Sequence, residues 1–438
     1  MSRHLLTPLR LALATAAATS LLLSGCTEPA PGLPGLPMSG ATAEPPSAIP
    51  DTGRTSGPVA LLVPLSGPLA PIGQSIKQAV QLAFSAPGAP PLDIRDTGGT
   101  PQGAAAAASA AIAAGDGLIL GPLTKSDTQA VASVAHAANV NVIAFTNDET
   151  VAAPGVWPLG ITPGQQVSRV VSYAADHGRT RTAAILPDNA FGRLMGASLE
   201  AKAQNLGEPS PNIGYFDNSF QSLTHTVRSI TAFDSRGASI EAQIRAARDQ
   251  DDQAGRIRAA KLEREPIPPP PFDALLVGAT GEQLAEVGTL LPYYEAGPPQ
   301  IQLLGPSLWA HDATAMATHD SLRGAVYAAP DPSLGLAFDQ KFQSTYGSAP
   351  PGIDKIGFDA GAIAVLAARE CGYTMQVLTN PSGFTGADGV FRLDPDGHVQ
   401  RGLAVFKVEP GGPQIVSPAP ATLPPPTNQE EPVAPPTS

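Results

Sequence analysis

Histidines stand at positions 4, 136, 177, 225, 311, 319 and 398, with no His-x-x-x-His spacing, and the only cysteines are Cys26 and Cys371. Neither pattern supplies the three or four convergent ligands of a zinc site. No Gly-x-Ser-x-Gly, Ser-x-x-Lys or Walker glycine loop is present, so a nucleophilic or phosphoryl-transfer centre has no carrier. Asp394-Pro395-Asp396-Gly397 has the composition of a calcium loop, but the later ligands are missing. Its flanks, Val390–Leu393 and Val399–Val408, make it a hairpin turn. The chain is therefore expected to bind rather than to catalyse, without metal or cofactor. The first candidate for binding is Leu65–Gly67, a small-residue loop after an apolar run. In open parallel sheets, loops at the carboxyl ends of strands border the ligand crevice. Ser66-Gly67-Pro68 is also ordinary turn chemistry, and the residues alone leave both readings open.

The loop needs a strand before it and a helix after it, and Pro58–Phe84 provides both. Val59–Val63 is a continuous apolar run, as for a strand covered on both faces. Ile72, Ile76, Val80 and Ala83 then recur at helical spacing. The alternation continues with strand Pro91–Arg95, helix Pro101–Ala114 opened by proline, strand Leu118–Leu120, helix Thr128–Ala138 and strand Val140–Phe145. A second series has strand Arg181–Leu186, helix Ala190–Leu206, strand Ile213–Phe216, strand Phe272–Gly278, helix Gly281–Leu291 and strand Ile301–Leu304. Such repetition predicts two α/β lobes with parallel sheets and right-handed crossovers. Ala238–Arg264, rich in charge and stopped by Pro266, reads as one exposed helix.

Outside the folded region the composition changes. Arg3 and Arg10 precede the short apolar run Leu11–Leu23, and Leu23-Ser24-Gly25-Cys26 follows. The run is too short for a permanent span and has the flanks of a signal peptide. Its ending resembles the bacterial lipobox, which implies cleavage after residue 25, acylation of Cys26 and a membrane anchor there. Thr27, where an aspartate would retain a lipoprotein at the inner membrane, points to the outer membrane. With Cys26 acylated, Cys371 has no disulfide partner and reads as a small core residue. Residues 26–57 form a proline-rich tether, and residues 410–438 a disordered proline-rich tail. The net charge of −12, without a basic patch, disfavours nucleic acid.

The segments VALLVPLSGPLAPIG, GLILGPLTKSDTQAV, VIAFTNDETVA, AAILPDNAFG, FDALLVGATGEQLAEV and FTGADGVFRLDPDGHV occur in that order. Together they resemble the type I periplasmic binding proteins of the leucine/isoleucine/valine-binding class. LLPYYEAGPPQIQLLGPSLW, Leu290–Trp309, is closer to the lipoprotein penicillin-binding protein activators within it. The resemblance implies two Rossmann-like lobes joined by a three-stranded hinge: lobe 1 over about 58–160 and 306–386, lobe 2 over about 161–305 and 387–409. It places a small ligand between them, on Ser66, Lys125, Ser126, Thr128, Thr146, Asn147 and Asp148 of the first lobe. Asp188, Asn189, Tyr215 and Glu282 match on the second. Asp148 departs from the amino-acid binders, setting a negative charge where an α-carboxylate would be received. The activator resemblance implies a periplasmic, lipid-anchored, non-catalytic protein whose partner is a class A penicillin-binding protein. The alternative it carries is the substrate-binding lipoprotein of a branched-chain or other amino-acid transporter, with an amino-acid-like ligand.

Overall fold

Val59–Val63 (β1) is buried at every residue because it has neighbours on both sides and helices on both faces. The computed structural model describes residues 53–425 apart from Asp251 and Cys371. The expected signal peptide, Cys26, most of the tether and the end of the tail lie outside the described residues. β1 pairs in parallel with Leu92–Asp96 (β2) and Leu118–Leu120 (β3), and Asn141–Ala144 (β4) and Val156–Pro158 (β5) complete a five-stranded sheet ordered β2-β1-β3-β4-β5. Val59, Leu61 and Val63 pack toward helices Ala70–Phe84 and Ile353–Arg369, while Ala60 and Leu62 pack toward Pro101–Ala114 and Lys125–Ala137. A doubly covered strand must be apolar throughout, whereas a half-buried one alternates.

The second sheet is built from Thr182–Pro187 (β6), Asn212–Phe216 (β7), Ala274–Val277 (β8), Gln302–Gly305 (β9) and Val326–Ala329 (β10), all parallel. Phe384–Gly386 (β11), Gly389–Leu393 (β12) and Val399–Arg401 (β13) form a small antiparallel sheet packed on the first lobe. Ala404–Lys407 (β14) and Gln414–Ser417 (β15) return to the second sheet, ordered β15-β14-β10-β9-β8-β6-β7. The chain is thus an α/β protein of two lobes, crossed between Pro158 and Pro163, after Ala329, and at Gly402-Leu403.

Six expectations need correction. Residue 306 is not where lobe 1 resumes: β10 belongs to the second sheet, and the return comes after Ala329. Residues 387–401 lie on lobe 1 rather than lobe 2, and Val399–Val408 is two strands in different sheets, β13 and β14, separated at Gly402-Leu403. The tail is ordered beyond 410, because the free edge of β14 accepts β15. The tether ends before 57, since Tyr373 donates its N–H to Arg54 O and its hydroxyl to Gly57 O. Ala238–Arg264 is a pair of helices, Phe233–Arg248 and Gln253–Leu262, broken where Asp252 caps the second by accepting from Gly255 N–H. The hairpin turn at Asp394–Gly397 is present, closed by Asp394 N–H to His398 O at 2.8 Å.

Helices Ala70–Phe84 and Ile353–Arg369 pack closely, and Asp354 sits between them, wholly buried. Ser75 Oγ donates to its Oδ2 at 2.6 Å, while Oδ1 has no partner. Burial pushes its pKa up to about 6, against the opposing Ser75 bond. A carboxyl raised in the folded state holds extra protons there, so its stabilisation is complete below about pH 4 and is lost as the pH rises through about 6. Asp354→Asn should remove this loss. Relative to the native chain, the variant should gain about 1–3 kcal/mol between pH 4 and pH 7.5, read from urea midpoints. Parallel curves for the two proteins would contradict the assignment.

Candidate functional site

Between the lobes lies a cavity of about 590 Å³ at the carboxyl ends of strands from both sheets. Phe145, Ile353 and Ile356 wall it from the first lobe, and Phe191, Leu308 and Ala310 from the second. Polar groups are few. Gln166 lines it but is spent on the protein: Oε1 accepts from Ser307 N–H at 2.8 Å and Nε2 donates to Ile161 O and Thr162 O. Lys355 lies 3.5 Å from Asp388 and 3.6 Å from Asp339, its charge met twice. Asn147 and His311 have no side-chain hydrogen bond among the described residues.

Of the residues expected to hold a ligand, the cavity gathers only Thr146 and Asn147. Ser66 is exposed at the lip of the β1 loop, whose backbone donors are already taken. Asp96 Oδ1 accepts from the N–H groups of Leu65 at 2.8 Å, Ser66 at 3.3 Å and Gly98 at 2.8 Å. The Ser66 side chain, with these N–H groups, holds the Asp96 carboxyl below its ordinary value against the opposing effect of burial. A carboxylate of the protein thus occupies backbone donors of the loop expected to border a ligand. Asp96, one residue beyond the expected strand, was missed; its only sequence signal is an acid followed by Thr97-Gly98-Gly99.

The other expected residues are similarly engaged. Thr124, rather than a residue nearer Thr128, caps its helix, accepting from Asp127 N–H at 3.2 Å. Thr128 is fully buried and donates to Thr124 O at 2.7 Å, so it does not face the cleft. Ser126 Oγ is 3.2 Å from Thr124 Oγ1. Lys125 Nζ lies 3.1 Å from Asp148 Oδ2, and Thr150 donates its N–H and hydroxyl to Asp148 Oδ1. Burial raises the Asp148 carboxyl, but Thr150 and Lys125 outweigh it and hold it low. The negative charge foreseen at Asp148 is thereby matched by Lys125. On the second lobe Asn189 caps helix Ala190–Leu206, accepting from Gly192 N–H at 3.0 Å. Asp188 accepts from Arg193 Nε at 3.0 Å, and that guanidinium lies 4.1 Å from the Tyr215 ring centroid. Glu282 is exposed on helix Gly281–Tyr293 and does not line the cavity.

Two α/β lobes crossed three times around such a cleft agree with a family match over residues 58–413, to the model described as periplasmic binding protein. The chain belongs to that family. The C-domain of LpoA from Haemophilus influenzae, described as a regulator of PBP1A, is 18% identical with a TM-score of 0.59, the match covering 82% of this chain and 100% of that one. In full-length LpoA the match covers 60% of the chain. A putative branched-chain amino acid ABC transporter protein from Rhodospirillum rubrum is 14% identical with a TM-score of 0.61, covering 82% and 99%. Leucine binding protein LivK from Thermotoga maritima is 16% identical with a TM-score of 0.51, covering 83% and 98%. In sequence, the uncharacterized protein RP748 of Rickettsia prowazekii is 21% identical over 174 residues, 40% of this chain; the match spans 47% of that protein. These family and fold neighbours are binding and regulatory proteins. At such identities the solved structures share the fold with this chain, and the shared fold does not separate a regulator from a transporter component.

Leu290–Trp309, the stretch that resembles the activators, is largely interior. Leu290, Leu291, Tyr294 and Trp309 belong to the second-lobe core, while Tyr293 is 73% exposed. The stretch therefore reports in large part how that lobe packs, with Pro292, Tyr293, Glu295 and Leu308 among its surface residues.

Proposed function

We propose that this is a lipoprotein anchored at the periplasmic face of the outer membrane and reaching into the periplasm, where it binds a class A penicillin-binding protein and activates it without catalysis of its own. The observation that carries this reading is Asp96, which holds the backbone donors of the β1 loop expected to border a ligand. The Lys125–Asp148 and Asp188–Arg193 pairs engage Lys125, Asp148 and Asp188 in the same way. Activation then operates by population shift: the lipoprotein binds the active arrangement of the synthase more tightly than the resting one. The lipobox-like end at Cys26 supports the anchor, and Thr27 the outer membrane.

The protein without its lipid should raise the rate at which a class A penicillin-binding protein polymerises or cross-links glycan. It should show no change in melting temperature with any amino acid, since a ligand that binds only the folded state must raise it by mass action. A melting shift with one amino acid and an unchanged synthase rate would establish the second reading, a transporter's substrate-binding protein. What favours that reading is the cleft itself, which keeps unpaired Asn147 and His311 beside an apolar wall.

A further inference from the structure

Beyond residue 413, where the family match ends, the chain runs back across the rear of the hinge. Gln414–Ser417 first adds to the edge of the second-lobe sheet as β15. Arg169, on helix Pro163–Asp176 of the same lobe, then donates from Nε to Leu403 O at 2.7 Å and from Nη2 to Ser417 Oγ at 2.6 Å and Pro418 O at 3.3 Å. One guanidinium thereby joins the third crossing to the start of the final segment. At its far end the segment reaches the first lobe, where Arg392 Nη1 donates to Pro424 O at 2.7 Å. Arg392 is 1% exposed and is itself fixed by Asp394 Oδ1 at 3.0 Å and Gln400 Oε1 at 2.8 Å.

Between these ties the segment lines a cavity of about 770 Å³ together with helix Pro163–Asp176, the Asp394–His398 turn and the Gly402-Leu403 crossing. It is held at its ends, and between them Ala419 packs on the second-lobe core and Pro420 lies beside Gly402. Pro418, Pro420, Pro424 and Pro425 fix their own φ angles and so limit backbone freedom on both sides of a bend at Ala421-Thr422. The last of the three crossings is the two-residue step Gly402-Leu403.

We propose that residues 414–425 are a strut across the back of the hinge that sets the opening between the two lobes. Hinge closure in two-lobed binding proteins changes the span between lobes while each lobe stays rigid. A tie anchored on both lobes restricts that change, and the cleft geometry then depends on a segment that does not line the cleft. The inference stands on these contacts alone and holds whether the partner is a protein or a small ligand.

The test places spin labels at Ser109→Cys on the first lobe and Glu200→Cys on the second, both exposed positions, in the full chain carrying Cys26→Ser and Cys371→Ser. Truncation after Pro418 keeps β15 and the Arg169 contacts but removes the tie to Arg392. The interlobe distance distribution should broaden and its maximum should shift, with the helical circular dichroism unchanged. Arg392→Lys in the full chain retains the buried charge and loses the fork, and should move the distribution in the same direction; it decides the matter if the truncated chain does not fold. A distribution identical to that of the parent in the folded variants would overturn the proposal and leave the segment a passive cover.

Discussion

Arg401→Leu should destabilise the folded protein by about 3–5 kcal/mol at pH 8, and by distinctly less at pH 5. Arg401 ends β13 at the third crossing, and its side chain is sealed from solvent. Its Nη2 donates to Leu159 O of the first crossing at 3.1 Å, its guanidinium lies 5.0 Å from the Phe391 ring centroid, and Nη1 is 3.9 Å from Asp359 Oδ2. Asp359 projects from helix Ile353–Arg369, and its Oδ1 accepts from Ala387 N–H at 2.6 Å. Burial drives its pKa up to about 7, with Arg401 and the Ala387 N–H opposing and nearby Asp388 reinforcing. Asp388, also raised by burial, is held back by Arg401 and Lys355, with Asp339 beyond.

The sign follows from these neighbours. Asp359 already binds its proton more tightly in the folded state, so its stabilisation is present below about pH 4 and lost as the pH rises through about 7. Without Arg401 its folded pKa rises further, and the loss continues to higher pH. The gap between native and variant proteins therefore widens with pH. Chemical denaturation at pH 5 and pH 8 measures it, and a gap of equal size at both would mean that Arg401 and Asp359 are not coupled. The same experiment bears on the hinge, because Arg401 joins two crossings to the helix behind the cleft.

Trp309→Ala should cost about 3–5 kcal/mol, the range for emptying a buried aromatic site. Trp309 is fully buried, and its Nε1 donates to Ala279 O at 2.9 Å. The indole lies flush against the last residue of β9: a Cβ added at Gly305 would sit 2.2 Å from the ring. Leu284, Val287, Leu303 and Met316 are in the same core, so truncation opens a cavity that several elements border. Trp309→Phe should cost less, through a partly filled site and an Ala279 carbonyl left without its donor. Trp157, the other tryptophan, is buried in the first lobe and reports there by fluorescence in either variant. Denaturant curves from Trp157 emission and from circular dichroism should separate in Trp309→Ala as the second lobe unfolds first. Coincident curves with an unchanged midpoint would show that the ring is dispensable to that lobe.

The sequence carried those elements whose signals are local. Val59–Val63, Pro101–Ala114 and Ala190–Leu206 have the same bounds in the structure as the residues predict. An unbroken apolar run marks a strand covered on both faces, and a proline in the first turn or a glycine after the last marks helix ends. Ile72 marks the limit of periodicity: it fits the helical spacing of Ile76 and Val80, yet it is 40% exposed because no element covers that turn.

Two lobes, parallel sheets, the hairpin turn and the family resemblance were thus fixed by residue order. Sheet membership was decided only in three dimensions. Val326–Ala329 pairs with β9 and β14, and nothing in its four residues distinguishes that sheet from the other. Gln414–Ser417 has exposed side chains and becomes a strand because β14 offers it a free edge. The same division holds at the cleft. Ser66, Lys125 and Asp148 are the residue types that bind ligands, and their types are plain in the sequence. Whether their hydrogen-bonding capacity is available depends on Asp96, Thr150 and one another. Those partners are set by where loops from separate strands end, and a polar group satisfied within the fold has little left to offer a ligand.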